Sequence, residues 1–191
     1  MNERLFAWIH HWAGHVSWLD SLMIVMANDI VWILLALMAC FWFMGRETDQ
    51  RLVFYAGLTS AVALLGDILL SPIINHPRPF VALGFHPLIP HAVDPSFPSS
   101  HATLAFAIAF AVWFVKRRWG TAMIALAILT GVARVYVGVH YPADIIGAAV
   151  LSFLSACVVL PFKTRIDPIP SWIIKTYRKL TERVPFIPHP E

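Results

Sequence analysis

An all-α bundle that crosses a membrane about five times is predicted by three features of the sequence: apolar composition, the length of the apolar runs, and a one-sided distribution of basic residues. Hydrophobic residues fill 59% of the 191 positions, charged residues only 13%, and mean hydropathy is +0.69, which lies outside the range of water-soluble domains. Apolar runs at 22–44, 52–74, 99–116, 121–140 and 142–162 each approach the roughly 20 residues that cross a hydrocarbon core at about 1.5 Å per residue. The third is short, and Lys116, Arg117 and Arg118 are expected to snorkel into headgroups at its end. The chain is expected to form a single integral-membrane domain over 1–191, with 1–20 as an interfacial helix and 163–191 as a cytoplasmic amphipathic tail.

Charge sets the expected orientation. Arg46 and Arg51 follow the first span, Lys116, Arg117 and Arg118 follow the third, and Lys163, Arg165, Lys175, Arg178, Lys179 and Arg183 follow the fifth, so eleven of the 14 basic residues share one side. By the positive-inside rule that side is cytoplasmic, and the loops 75–98 and 140–142 face outward. The net charge of +3 and pI near 9.1 are therefore topology signals and not the patch of a nucleic-acid binder.

Taken in order, Leu5, Phe6, Trp8, Ile9, Trp12 and Ala13 recur at helical spacing beside His10, His11 and His15, which predicts an amphipathic helix on the outer interface, too short to cross. The stretch lacks an unbroken apolar core and a small-residue cleavage site, so the first span is expected to insert uncleaved. Asp29 and Asp67 interrupt the first two spans, and Asp67 is expected to bond within the bundle. Cys40 and Cys157 are expected to pack in the core, with no disulfide or zinc site. Half of the 14 prolines fall between Pro72 and Pro98, so the long loop 75–98 is either a stiff connector packed on the helix ends or a substrate lid. The tail places Ile173, Tyr177, Leu180 and Val184 on one face with Lys175, Arg178, Lys179 and Arg183 around it, suited to an anionic inner leaflet.

Three polar blocks break the apolar pattern: Arg78-Pro79, then Pro98-Ser99-Ser100-His101, then Arg134, His140 and Asp144. All fall at span ends on the same face, an arrangement that allows one site. Pro98-Ser99 reads as a helix entry with Ser99 as N-cap, leaving the amides of Ser100 and His101 free for an anion, and two arginines add charge-assisted donors. Tyr141-Pro142 starts a new helix, so Asp144 in its first turn can reach back to the His140 ring. A carboxylate on one ring nitrogen leaves the other lone pair free to attack phosphorus, with His101 as proton donor to the departing oxygen. Each residue also has a simpler reading: Ser99 as a plain cap, Asp144 as a helix-terminal charge, His140 as an interface histidine, Arg134 as a snorkelling anchor.

These blocks resemble the type 2 phosphatidic acid phosphatase superfamily, whose pattern is Lys-x6-Arg-Pro, Pro-Ser-Gly-His and Ser-Arg-x5-His-x3-Asp, over residues 71–144. The resemblance implies a metal-independent, cofactor-free phosphatase in which His140 forms a phosphohistidine, Asp144 orients it, His101 protonates the leaving group, and Arg78, Arg134, Ser99 and Ser100 hold the phosphate. Three positions depart from it: Ser71 stands for the lysine, Ser100 for the glycine and Ala133 for the serine. Loss of the lysine weakens the cationic half of the site unless Asn75 or His76 substitutes. The superfamily commonly has six spans, so 4–15 stands where a helix is missing.

Within the superfamily, the short length, the outward site and the stretch from His91 to Phe97 resemble bacterial undecaprenyl-diphosphatases, which implies a polyprenyl diphosphate substrate amid membrane lipids. The alternatives are a phosphatidylglycerophosphate or phosphatidate phosphatase of the same superfamily, or a non-enzymatic lipid-phosphate transporter, which would need the arginines but no paired His140 and Asp144. A vanadium haloperoxidase shares the motif but needs no membrane spans.

Overall fold

The computed structural model describes residues 1–182, all of whose regular structure is helical. α1 (Asn2–His10) is followed by α2 (Ser17–Asn28), α3 (Ile30–Met44), α4 (Glu47–Ile74), the short α5 (Pro79–Leu83), α6 (Ser100–Val115), α7 (Arg117–Tyr136) and α8 (Pro142–Val159). A 3-10 turn at Leu160–Phe162 leads into α9 (Lys163–Ile166) and α10 (Pro168–Thr181).

Three helices, those carried by α4, α7 and α8, are long and apolar enough to cross a membrane, α2 and α3 make a fourth unit bent by 45°, and α6 is a shorter apolar helix. The expected first span is thus two helices broken at Asp29, whose amide closes α2 on the Val25 carbonyl at 2.7 Å. This shorter apolar helix is the central one: α6 packs against α7, α4 and α8. Its buried face is rich in alanine (Ala102, Ala105, Ala107, Ala109, Ala111), and small side chains let neighbouring backbones approach closely where lipid supplies no hydrophobic drive. Leu34, Met38, Leu52, Phe106, Val112 and Met123 fill the gaps around it.

Several boundaries differ from the sequence expectation. The loop expected over 45–51 shrinks to Gly45 and Arg46, because Asp49 accepts the Arg46 amide at 3.1 Å and starts α4 early. Lys116 alone separates α6 from α7. The helix of the expected fourth span ends at Tyr136, and α2 begins at Ser17, inside the stretch expected as one helix over 1–20.

α1 does more than rest on an interface. Phe6 is buried against Tyr141 and Phe85, His10 Nδ1 bonds the Tyr136 carbonyl at 2.7 Å, and Asn2 accepts the Ala143 amide at 3.0 Å, while Trp8 and Trp12 stay exposed. It docks across the ends of α7 and α8.

Two further expectations are corrected. Both cysteines are free and exposed, on the outer flank of the bundle, where a soft, weakly polar thiol sits in lipid at little cost. In the tail, Pro168 and Pro170 lie in the first turn of α10, and the packed face is Pro170, Ile174 and Tyr177 against α4 and Trp42, with Leu180 exposed. Arg183 and Val184, with the rest of 183–191, lie outside the described residues.

Candidate active site

The ends of α4, α6, α7 and α8 meet at one end of the bundle, and the loop between α5 and α6 closes over them. The turn from α7 to α8 needs a left-handed residue, which Gly138 supplies at φ +89°, and a Cβ there would lie 2.7 Å from the Phe85 ring. That turn presents His140. The long loop is a connector packed on the helix ends: the Leu88 amide bonds the Val137 carbonyl at 3.0 Å, Ile89 is buried beside Tyr136 and Val139, and the Ser96 amide bonds the His76 carbonyl at 2.7 Å.

His140 is buried, with both ring nitrogens engaged. Nδ1 lies 2.9 Å from the Ser96 carbonyl, which accepts only, so Nδ1 carries the proton; Nε2 accepts from Arg78 Nη1 at 3.1 Å. Burial pushes the imidazole down to about 3, with the Arg134 and Arg78 charges acting in the same direction and the nearby Asp144 carboxylate opposing. The ring is therefore neutral near pH 7, with its lone pair on Nε2.

Asp144 meets the sequence expectation in an unexpected way. Its Oδ2 is 3.5 Å from His140 Nδ1, an ion-pair distance but long for a hydrogen bond. The same oxygen accepts the Tyr141 amide at 2.8 Å and the Ser96 hydroxyl. Asp144 is thus both helix cap and neighbour of the imidazole, and the hydrogen bonds run through Ser96.

The two arginines differ. Arg78, 5% exposed, donates Nη1 also to the Val139 carbonyl at 3.0 Å and Nε to Asp94 Oδ1 at 2.9 Å. Burial alone raises the Asp94 carboxyl, but the Arg78 hydrogen bond and charge outweigh it and hold Asp94 below the usual carboxylate range. Arg134 is 1% exposed, and its Nε and Nη2 have no hydrogen-bond partner. Ser99 is likewise fully buried with an unpartnered Oγ, so it is no side-chain cap, although its carbonyl accepts the Thr103 amide at 2.7 Å. A buried donor without a partner costs about 1–3 kcal/mol, and here two arginines of like charge lie beside such donors. An anion accepting from these donors would relieve both.

Ser100, His101 and Ser71 complete the sequence set. The Ser100 hydroxyl donates to Asp67 Oδ2 at 2.6 Å, so only its first-turn amide is open to an anion, and Asp67 bonds within the bundle as expected. His101 lies within the electrostatic reach of Arg134, His91 and Arg78, and lines a cleft of about 280 Å³ with Asn28, Val31, Trp32, Leu35 and Leu64. Ser71, by contrast, sits near the end of α4 with its carbonyl closing the left-handed cap at Asn75, and no bond joins its hydroxyl to the site among the described residues. His76 stacks edge-on to Tyr141 with a buried, unpartnered Nδ1. Sequence reasoning missed His91, whose ring centroid is 6.2 Å from that of His140, together with Asp94 and Ser96. All three fall in the one stretch, 91–97, that already stood out by resemblance.

A family model described as "PAP2 superfamily" matches residues 51–167. The chain is 33% identical over 184 residues to "Undecaprenyl-diphosphatase BcrC" of Bacillus subtilis (strain 168), covering 96% of this chain and 95% of that one. Among solved structures, Aquifex aeolicus LpxE superposes with a TM-score of 0.70 at 27% identity, covering 84% of this chain and 94% of the other. A PAP2-type phosphatidylglycerolphosphate phosphatase from Bacillus subtilis does so with a TM-score of 0.67 at 25% identity, covering 86% and 87%. Helical architecture, motif order and near full-length similarity converge on one conclusion: the chain belongs to the PAP2 superfamily.

Proposed function

We propose that the protein hydrolyses undecaprenyl diphosphate to undecaprenyl phosphate through a phosphohistidine at His140. The observation that carries this is the neutral His140 ring with its lone pair on Nε2 facing Arg78, beside the unpartnered Arg134 guanidinium and Ser99 hydroxyl. A terminal phosphoryl group held by these donors and by the first amides of α6 takes up the Arg78 guanidinium and so uncovers Nε2. Nε2 then attacks phosphorus, the bond to the bridging oxygen breaks, its electron pair leaves with the lipid monophosphate, and His101 supplies a proton to that oxygen. Water attacks the phosphohistidine in the second half, giving its proton to His101 and restoring Nε2.

The name of the Bacillus subtilis relative supports the diphosphate, and the apolar cleft beside His101 supports a substrate whose chain stays in lipid. The likeness to a phosphatidylglycerolphosphate phosphatase supports the rival substrate. Phosphate release from purified undecaprenyl diphosphate, phosphatidylglycerophosphate and phosphatidate, with wild type and His140→Ala in parallel, decides. The expected result is highest kcat/KM on the diphosphate and none for the variant. Equal or higher kcat/KM on phosphatidylglycerophosphate moves the protein to the rival reading.

The basic-residue split supports a site on the outer face of the cytoplasmic membrane, where a spent diphosphate carrier emerges. Topology reporters fused after Gly84 and after Arg118 should give opposite signals, and identical signals would reject this orientation.

A further inference from the structure

We infer that Ser96 is a positioning residue for the nucleophile: its carbonyl fixes the tautomer of His140, and its hydroxyl holds Asp144 at the distance from which the carboxylate acts. This rests on the phosphohistidine reading above and adds a residue that none of the three motif blocks contains.

The geometry is specific. Ser96 is fully buried, and each of its three polar groups has one partner in a different part of the chain. Its amide donates to the His76 carbonyl at 2.7 Å, which anchors it to the segment leading into Arg78. Its carbonyl accepts His140 Nδ1–H at 2.9 Å, and its hydroxyl donates to Asp144 Oδ2. The direct His140–Asp144 approach, at 3.5 Å, is longer than either link. Two residues earlier, Asp94 bonds Arg78 at 2.9 Å, so one short segment touches both the phosphate clamp and the nucleophile.

The chemistry gives each group a task. When Nε2 bonds to phosphorus the imidazole becomes cationic, and the Nδ1–H bond to the Ser96 carbonyl strengthens as that charge develops. The Asp144 charge stabilises the cation only while the carboxylate stays ionised and in place. Two donors to one oxygen, the Ser96 hydroxyl and the Tyr141 amide, favour the ionised form and stop its rotation. Without the hydroxyl, the Tyr141 amide alone holds the carboxylate oxygen, and the charge is less firmly placed beside the ring as the cation develops.

The test uses the full chain in detergent or vesicles, with Ser96→Ala, Ser96→Cys, Asp144→Asn, the Ser96→Ala/Asp144→Asn double variant and His140→Ala. Cysteine keeps a heavy atom at the γ position, larger than oxygen, but donates weakly, while alanine removes that atom, so the two variants together separate packing from hydrogen bonding. Both Ser96 variants should keep a wild-type elution profile and KM, while kcat and the rate of phosphoenzyme formation in rapid quench fall roughly tenfold, the loss expected for a hydrogen bond to a charged group. The double variant should be no slower than Asp144→Asn, because the hydroxyl acts through that carboxylate. Wild-type kcat in both Ser96 variants, a change confined to KM, or fully additive losses would overturn the inference. Activity in His140→Ala would instead remove the phosphohistidine reading on which it rests.

Discussion

The two ends of the bundle carry similar polar residues and use them in opposite ways. At the end away from His140, Arg51 bonds Glu47 and Asp167, the Tyr55 hydroxyl donates to Asp167 and to the Lys163 carbonyl, Lys116 pairs with Asp49, and Arg178 bonds Gln50. These are opposite-charge or neutral pairs, and Arg51 with its two acids is partly solvent-exposed. At the His140 end, two arginines of like charge are buried together, Arg134 keeps two unpartnered nitrogens, and Ser99 keeps an unpartnered hydroxyl. The first pattern pairs its charges and ties α4 to the tail. The second leaves unpartnered donors inside the protein at a cost in stability, which supports the anion-binding reading proposed above.

The comparison is tested most severely at His140. His140→Ala should lower phosphate release by about 10³-fold or more, since in this reading the Nε2 lone pair that attacks phosphorus is the one held by Arg78. Rapid quench with labelled substrate should trap label on His140 in the wild type, and label on another residue would break the assignment.

The arginines come next. Arg134→Ala should reduce kcat/KM by roughly 10²–10³, the range for removing one preorganised donor, and Arg134→Lys should recover little because a point charge does not reproduce the fork. Arg51→Ala at the far end should leave kcat/KM within about twofold and cost about 0.2–1 kcal/mol of stability, as partly exposed pairs do. Equal kinetic effects at the two positions would erase the distinction between the ends.

Excess chelator should leave turnover unchanged, because Arg78, Arg134 and the α6 amides meet the phosphate charge in this reading. Loss of activity that magnesium restores would show that a cation completes the site.

The sequence resolved the spans because an apolar run of about 20 residues has few other uses, and it resolved the motif blocks because ionisable residues at span ends are expensive. It did not resolve the bend at Asp29, since a single acid in an apolar run signals cost but not geometry. The cysteine expectation failed for a related reason: in a membrane protein both the lipid side and the core side of a helix are apolar, so composition does not tell Cys40 or Cys157 which way to face. Ser96 was hidden because its links to His140 and Asp144 span 44 and 48 residues, and a serine in a proline-rich loop has no local pattern that marks it. The topology of the connector, not its letters, carries it into the site.

The smallest effect should come from restoring the missing cation. Ser71 lies on α4 seven residues before Arg78, and its partial burial places it between the two behaviours described above. If position 71 looks toward the phosphate, Ser71→Lys adds a third positive charge to the His140 end and should lower KM about two- to fivefold, the effect of one partly screened charge, with kcat little changed. The added ammonium also lies near two guanidinium groups, so the gain should shrink as salt is raised and the free protein should melt slightly earlier. Unchanged KM in a folded variant would place position 71 outside the site and reduce the first block to Arg78-Pro79, leaving Arg78 and Arg134 as its side-chain guanidinium clamp.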